Sequence, residues 1–255
     1  MLADTHCHLY MDAFSDDLPA VLDRAVEAGV GHIFLPALNL GSLPGMRALE
    51  HPDIRFYPMA GVHPTEINDG VRAGADELAE ACAAPDVVAV GETGLDYHWD
   101  TDHKAAQQRS LRMHCEVARA CGKPVVLHNR DSTDDLLDII GEEQDGSLTG
   151  IWHCFNGSVE EGRRALDLGL HLGIGGVFTF KNAGVDLTVS QLPLERMVLE
   201  TDAPYLSPEP CRGERNEPAF VRHTAERLAQ VKETDLGEVA RRTTATALEL
   251  FGLQV

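Results

Sequence analysis

Leu2-Ala3-Asp4-Thr5-His6-Cys7-His8 starts apolar and ends in two histidines one residue apart. On a strand, side chains alternate between two faces, so His6 and His8 share one face and both imidazoles can reach one cation from a stiff element. What comes after this run decides between two folds. An open dinucleotide-binding sheet normally continues into a glycine-rich phosphate loop, and none is present. Residues 18–28 instead set Leu18, Val21, Leu22, Ala25 and Val26 at helical spacing, with Gly29 as the stop.

Seven further short apolar runs suit buried parallel strands: residues 32–37, 56–63, 87–92, 124–128, 150–154, 171–175 and 197–202. Helical stretches fall between them, 105–121 stopping at Gly122, 133–140 at Gly141 and 159–168 at Gly169. Eight strands alternating with helices, joined by right-handed crossovers, give a closed barrel or an open doubly wound sheet. Without the phosphate loop, the expected class is α/β, a (β/α)8 TIM barrel. The 255 residues match the roughly 250 such a barrel needs, so 1–255 reads as one domain, without internal repeat, low-complexity tract or linker. Residues 204–218 read as a long proline-rich loop after the eighth strand, and 220–232 and 236–251 as terminal helices.

In this scheme the histidines and acids fall at strand ends. His6 and His8 close the first strand, His63 the third, Glu92 the fourth, His128 the fifth, His153 the sixth and Asp202 the eighth. In a parallel barrel those ends converge on the C-terminal rim, where catalytic groups of this architecture stand. Imidazoles and carboxylates with no inward thiolate suit zinc, manganese, or magnesium with some ligands replaced by water. Six ligands are too many for one tetrahedral ion. The economical arrangement is two divalent ions bridged by Glu92, one on His6, His8 and Asp202, the other on His128 and His153. Such a pair holds a water and lowers its pKa toward neutrality, which is hydrolysis by metal-activated hydroxide. Asp202 is then the expected general base. His63, followed by Pro64, is placed to hydrogen-bond substrate or leaving group, and Asp4 to orient an imidazole from behind. The other histidines, His32, His51, His98, His103, His114, His171 and His223, match no ligand position.

Composition sets the outer bounds. Hydrophobic residues at 44% and charged residues at 24% are the usage of a globular chain able to bury a core. No run approaches the roughly 18 apolar residues of a membrane span. No basic start and apolar stretch precede the first strand, so the chain is expected to start folded and stay in the cytoplasm. The six cysteines form no C-x-x-C pair, which argues against both a disulfide framework and a structural zinc knuckle and for reduced thiols. Cys7 and Cys154, each next to a ligand histidine, are expected to pack outward against helices. The net charge of -20 argues against a broad polyanion-binding face, so phosphate contacts must be local. Candidates in loops beyond the rim are Arg130, Lys181, Arg212 and Arg215, with Tyr97 and Trp99 available to stack on an unpaired base.

Several motifs, taken together and in order, resemble the TatD family of metal-dependent hydrolases, a branch of the amidohydrolase superfamily. They are D-T-H-C-H at 4–8, G-V-H-P at 61–64, G-E-T-G-L-D-Y at 91–97, H-N-R-D at 128–131, H-C-F-N-G-S at 153–158 and T-F-K-N at 179–182. The last is E-T-D-A-P-Y-L followed by R-G-E-R-N-E-P between 200 and 218. The resemblance covers nearly the whole chain. It implies a divalent-metal deoxyribonuclease that trims single-stranded or damaged DNA, and sometimes RNA, from 3′ to 5′. It also places an acid at the fourth strand where many amidohydrolases carry a carboxylated lysine, which agrees with Glu92 as the bridge. Thr93 stands where members commonly have an aliphatic residue, and Asn129 and Asn156 where serine is frequent.

Two other functions share these residues. The same ions serve an amidase, esterase, lactonase or aminoacyl deacylase acting on a small or tRNA-linked substrate, because fold does not fix substrate. A non-catalytic metal-binding partner of an assembly is the third reading. A nuclease should lose turnover on replacement of Arg130 and Arg215, whereas cleavage of a neutral ester should survive it. The sequence leaves the native metal and the oligomeric state open, and a monomer is compatible with it.

Overall fold

The computed structural model describes residues 1–98 and 101–254. Its strands are β1 (Leu2–Asp4), β2 (Val30–Leu35), β3 (Arg55–Ala60), β4 (Ala89–Asp96), β5 (Val125–Arg130), β6 (Gly150–Trp152), β7 (Leu170–Ile174) and β8 (Met197–Leu199). They pair in chain order and every pair is parallel. The first and last strands also meet. Thr5 N–H donates to Leu199 O at 2.9 Å, Asp202 N–H to His6 O at 2.8 Å and His8 N–H to Ala203 O at 2.8 Å. The sheet therefore closes on itself as a (β/α)8 barrel and leaves no open edge between β8 and β1.

The helices are α1 (Leu18–Glu27), α2 (Leu43–Arg47), α3 (Pro64–Asn68), α4 (Ala75–Ala83), α5 (Lys104–Cys121), α6 (Thr133–Glu143), α7 (Val159–Asp167), α8 (Val185–Ser190), α9 (Val221–Val231) and α10 (Leu236–Leu250). None is long and apolar enough to cross a membrane. Alternation along the strands makes two apolar layers. Ala3, Phe34, Met59, Ala89, Val126, Ile151 and Val198 fill the barrel, closed by Leu248 and Phe251, with Phe251 stacked on Phe34 at 4.3 Å. Their strand neighbours Leu2, Ile33, Leu35, Val125, Leu127, Met197 and Leu199 pack outward under the helices.

Gly29, Gly122 and Gly169 end their helices at positive φ, as expected from the sequence. Gly141 does not stop α6, which runs on to Glu143. That helix ends where the Gln144 amide donates to Leu148 O and Leu168 O at 2.9 and 2.7 Å. Several strands are shorter at the rim than their apolar runs suggest. β1, β3, β6 and β8 stop before their histidines and acid, so His6, His8, His63, His153 and Asp202 stand just beyond the ladder. Glu92 and His128 stand inside β4 and β5. Cys154 and Asp202 have φ of 50° and 62°, so the chain turns there and strict alternation fails. Cys7 is fully buried in the outer layer, but this turn leaves Cys154 half-buried and facing the rim cavity.

Candidate metal centre

Glu92 is the hub of the rim. Its carboxylate is 2% exposed, and its two oxygens face different groups of donors. Oε2 lies 3.1 Å from His6 Nε2 and 3.7 Å from His8 Nε2, and Asp202 Oδ1 lies 3.7 and 3.6 Å from the same two nitrogens. Four ligands about 2.0 Å from a tetrahedral ion stand roughly 3.3 Å from one another, so these spacings suit one cation. Oε1 points the other way. It lies 3.1 Å from His128 Nδ1, 3.5 Å from His63 Nε2 and 3.9 Å from His153 Nε2. His153 stands between the two groups, stacked on His6 at 3.5 Å and 3.8 Å from Asp202 Oδ1. The rim thus gathers all six residues that strand-end logic singles out as ligands, and the donor chemistry fits one or two divalent ions.

The outward nitrogens decide what the inward ones can do. Tyr10 donates its hydroxyl to Pro36 O at 2.9 Å, so its oxygen, 3.0 Å from His8 Nδ1, accepts the proton there. Burial pushes His8 down to about 4, and the neutral ring then turns a bare Nε2 toward Glu92 and Asp202. Asp96 takes Nε2 of His128 at 3.0 Å and turns Nδ1 inward. Glu200 lies 2.9 Å from Nδ1 of His153, out of line for a straight hydrogen bond, and accepts Cys154 N–H at 2.6 Å. His63 differs. Its Nδ1 accepts the Thr65 backbone N–H at 3.2 Å, capping α3, so the proton of the neutral ring sits on Nε2. That nitrogen lies 3.2 Å from His128 Nδ1 and 3.5 Å from Glu92 Oε1, so its proton makes it a donor at the edge of the second donor group.

The charges around the hub are coupled. Burial holds His6 well below the usual imidazole range. Burial works against the charge on Glu92, but the imidazoles of His6, His63 and His128 outweigh it and hold the carboxyl well below its ordinary value. Burial likewise opposes a charge on His153 and His128, yet the facing carboxylates raise them to about 10 and about 8. Asp202 goes up to about 7, chiefly by burial, with His153 opposing and Glu92 and Glu200 adding to the rise. Before metal enters, protons occupy part of the positive charge this pocket calls for.

The structure distributes the expected substrate contacts unevenly. Arg130 is exposed and lines the cavity with Glu92, Asp96 and His128. Lys181, Arg212 and Arg215 do not line it. Arg215 is held by both oxygens of Asp17 at 2.8 Å, Arg212 lies over the Phe180 ring at 4.3 Å, and Lys181 borders a separate cavity by α9. Tyr97 is 8% exposed, with its hydroxyl donating to Asp135 at 2.9 Å, so it is a packing anchor without an open face. Trp99 lies outside the described residues. Asp4 touches no imidazole. Its carboxylate accepts Thr201 N–H and Oγ1–H at 2.9 and 2.6 Å and the His6 backbone N–H at 3.3 Å, and these donors claim it and tie β1 to the end of β8.

Four residues escaped sequence reasoning. Tyr10, Asp96 and Glu200 stand two, four and two positions from His8, Glu92 and Asp202, a period-two signal that the strand pattern already offered. Tyr205, at the cavity mouth, had no such signal beyond its place in E-T-D-A-P-Y-L.

Comparison with known proteins agrees with this geometry. The profile of the family described as TatD related DNase matches residues 3–252. The uncharacterized metal-dependent hydrolase YabD of Bacillus subtilis is 38% identical over 253 residues, covering 98% of this chain and 99% of its own. A Citrobacter rodentium protein named 3′-5′ ssDNA/RNA exonuclease TatD is 31% identical over 257 residues, covering 98% and 97%. Among solved structures, the TatD homologue YjjV of Escherichia coli superposes with a TM-score of 0.91 at 30% identity, over 99% of this chain and 98% of its own.

Proposed function

The chain belongs to the family of TatD-related DNases, metal-dependent hydrolases, and from that premise we propose that it cleaves phosphodiester bonds of DNA, trimming single-stranded or frayed 3′ ends. The observation that carries this reading is the division of Glu92 between two donor groups, Oε2 toward His6 and His8 and Oε1 toward His128 and His153. Zinc, manganese or magnesium ions bound there supply Lewis acidity, lower the pKa of water and stabilise charge on attacking and leaving oxygens.

The chain's own residues do the rest. Asp202 faces the cavity with Oδ1 3.6 to 3.8 Å from the imidazoles of His6, His8 and His153, placed to take the proton of a water held at the centre as general base. His63 Nε2–H points to the same space and donates to the leaving oxygen or a non-bridging phosphoryl oxygen. Arg130 offers a guanidinium for a neighbouring phosphate.

The test uses metal-reconstituted protein with end-labelled single-stranded and duplex DNA, beside Asp202→Asn and a chelated control. Stepwise loss of 3′ nucleotides from single strands is expected, with Asp202→Asn slower by roughly 100- to 10,000-fold. A second reading, hydrolysis of an uncharged or cationic amide or ester such as an aminoacyl group, is favoured by one feature. The groove beyond Arg130 is lined by Asp131, Asp134, Asp135 and Glu161, which repel a polyanion. Inertness toward DNA with turnover of such an ester selects that reading, and inertness with every divalent ion selects a non-catalytic metal-binding partner.

A further inference from the structure

Among the described residues, the large hydrophobic side chains that stand exposed are Met1, Leu187, Tyr205 and Leu206. Two of these are adjacent, 49% and 41% exposed, and both line the cavity that holds His128, His153 and Asp202. Their exposure is not that of a loosely held loop. Asn216 is fully buried, and its amide donates to Thr201 O at 2.8 Å and to Tyr205 O at 2.6 Å. Tyr205 N–H donates to Asp202 O at 2.8 Å. The Leu206 carbonyl lies where only a glycine leaves room, since a Cβ on Gly176 would stand 1.8 Å from it. Leu206 itself is held at φ 54°, a conformation leucine adopts only under constraint. The fold thus spends hydrogen bonds and backbone strain to hold an aromatic and an aliphatic side chain in water beside the metal centre.

We propose that Tyr205 and Leu206 form a subsite for the nucleobase of the strand's terminal nucleotide, the one whose phosphodiester is held at the metal centre. This rests on the nuclease reading above. The Tyr205 ring centroid is 6.4 Å from that of His8, which places a flat apolar surface one nucleotide's reach from the donor groups. The cavity, about 420 Å3, has Val177 as its further apolar wall and falls in the range of single small-ligand sites. A base has a π-face whatever its identity, so this surface gives end recognition without sequence preference. It also adds affinity without adding positive charge, which a chain of net charge -20 otherwise lacks.

The experiment compares single-stranded oligonucleotides that differ only at the 3′ terminus, a normal nucleotide against a tetrahydrofuran abasic analogue, on the metal-loaded full chain. In the parent, loss of the base should raise KM for release of the terminal unit by about tenfold or more. In Tyr205→Ala that discrimination should collapse, with the normal end becoming as poor as the abasic one, and Tyr205→Phe should restore it. Equal KM for the two ends in the parent overturns the subsite while leaving the nuclease reading intact. So does discrimination that persists in a Tyr205→Ala protein of unchanged metal content. Absence of cleavage of either oligonucleotide by the parent overturns the nuclease reading and the subsite with it.

Discussion

Glu200 shows how much of the candidate metal centre lies behind the residues that face its cavity. It is fully buried, and Gly173 leaves it the space it occupies, since a Cβ there would stand 2.3 Å from Oε2. With Oε1 on Cys154 N–H and 2.9 Å from His153 Nδ1, it fixes the ring that stands between the two donor groups. Such partners of ligand histidines are worth roughly 10- to 100-fold in metal affinity. Glu200→Gln, which keeps an acceptor, should weaken the ion held through His153 toward the lower figure, and Glu200→Ala toward the upper. The ion on His6 and His8 should keep its affinity, because Tyr10 and not Glu200 backs that group. Titration of chelated protein with manganese, resolving the two affinities, checks this. Equal weakening of both ions would mean that Glu200 only supports the barrel.

At the scale of elements, strand β4 joins packing to chemistry. Gly94, two residues after Glu92, has φ 137°, and a Cβ there would meet His128 O at 2.1 Å and His128 N at 2.8 Å. Gly94→Ala must therefore push β5 away from β4, and a destabilisation of at least about 2 kcal/mol is expected from the urea midpoint. His128 moves with β5, so metal affinity should fall as well; an unchanged midpoint would mean that the strands approach less closely here. This is also where the sequence stops being readable. Alternation and glycine stops foretell the eight strands, their order and most helix ends, because each depends on neighbours three or four residues away. The six candidate ligands could be picked out for the same reason, as they follow apolar runs of the right length, and the fold brings them to one rim. Beyond each run, however, direction is set by contacts with distant segments. Cys154 turns at φ 50° to reach Glu200, Asp4 is claimed by Thr201, and Arg215 by Asp17, a residue 198 positions away. Such pairings leave no local mark, so the basic quartet read from the loops scattered, and an exposed tyrosine at 205 passed for part of a motif.

For the molecule as a whole, the centre links proton binding, metal binding and stability. In the ion-free protein His153 and His128 are raised from 6.5 to about 10 and about 8. A group whose folded value lies above its unfolded one contributes stability that is whole below the unfolded value and is lost as pH rises through the folded one. For the two histidines that loss spans about 6.5 to 10. Asp4 and Asp202, raised from 3.8 to about 8 and about 7, act in the same direction, since the fold favours their protonated forms and that advantage is gone above those values. Glu92, held low, has the opposite sign, but its contribution is lost only in acid. Ion-free protein should therefore lose stability between about pH 6.5 and 10. Divalent ions need the same donors bare, so their uptake displaces protons and strengthens over the same interval, and binding to the native state adds to stability. Divalent ions bound there would also offset part of the formal net charge of -20, which eases the repulsion the bare pocket adds. Thermal melts from pH 6 to 9 in chelator and in excess manganese should diverge, the chelated Tm falling while the loaded Tm holds. Calorimetry at pH 7 in two buffers of different ionisation heat should show proton release on manganese binding. Parallel melting curves and no released protons would mean that the six side chains do not share one cation-binding pocket.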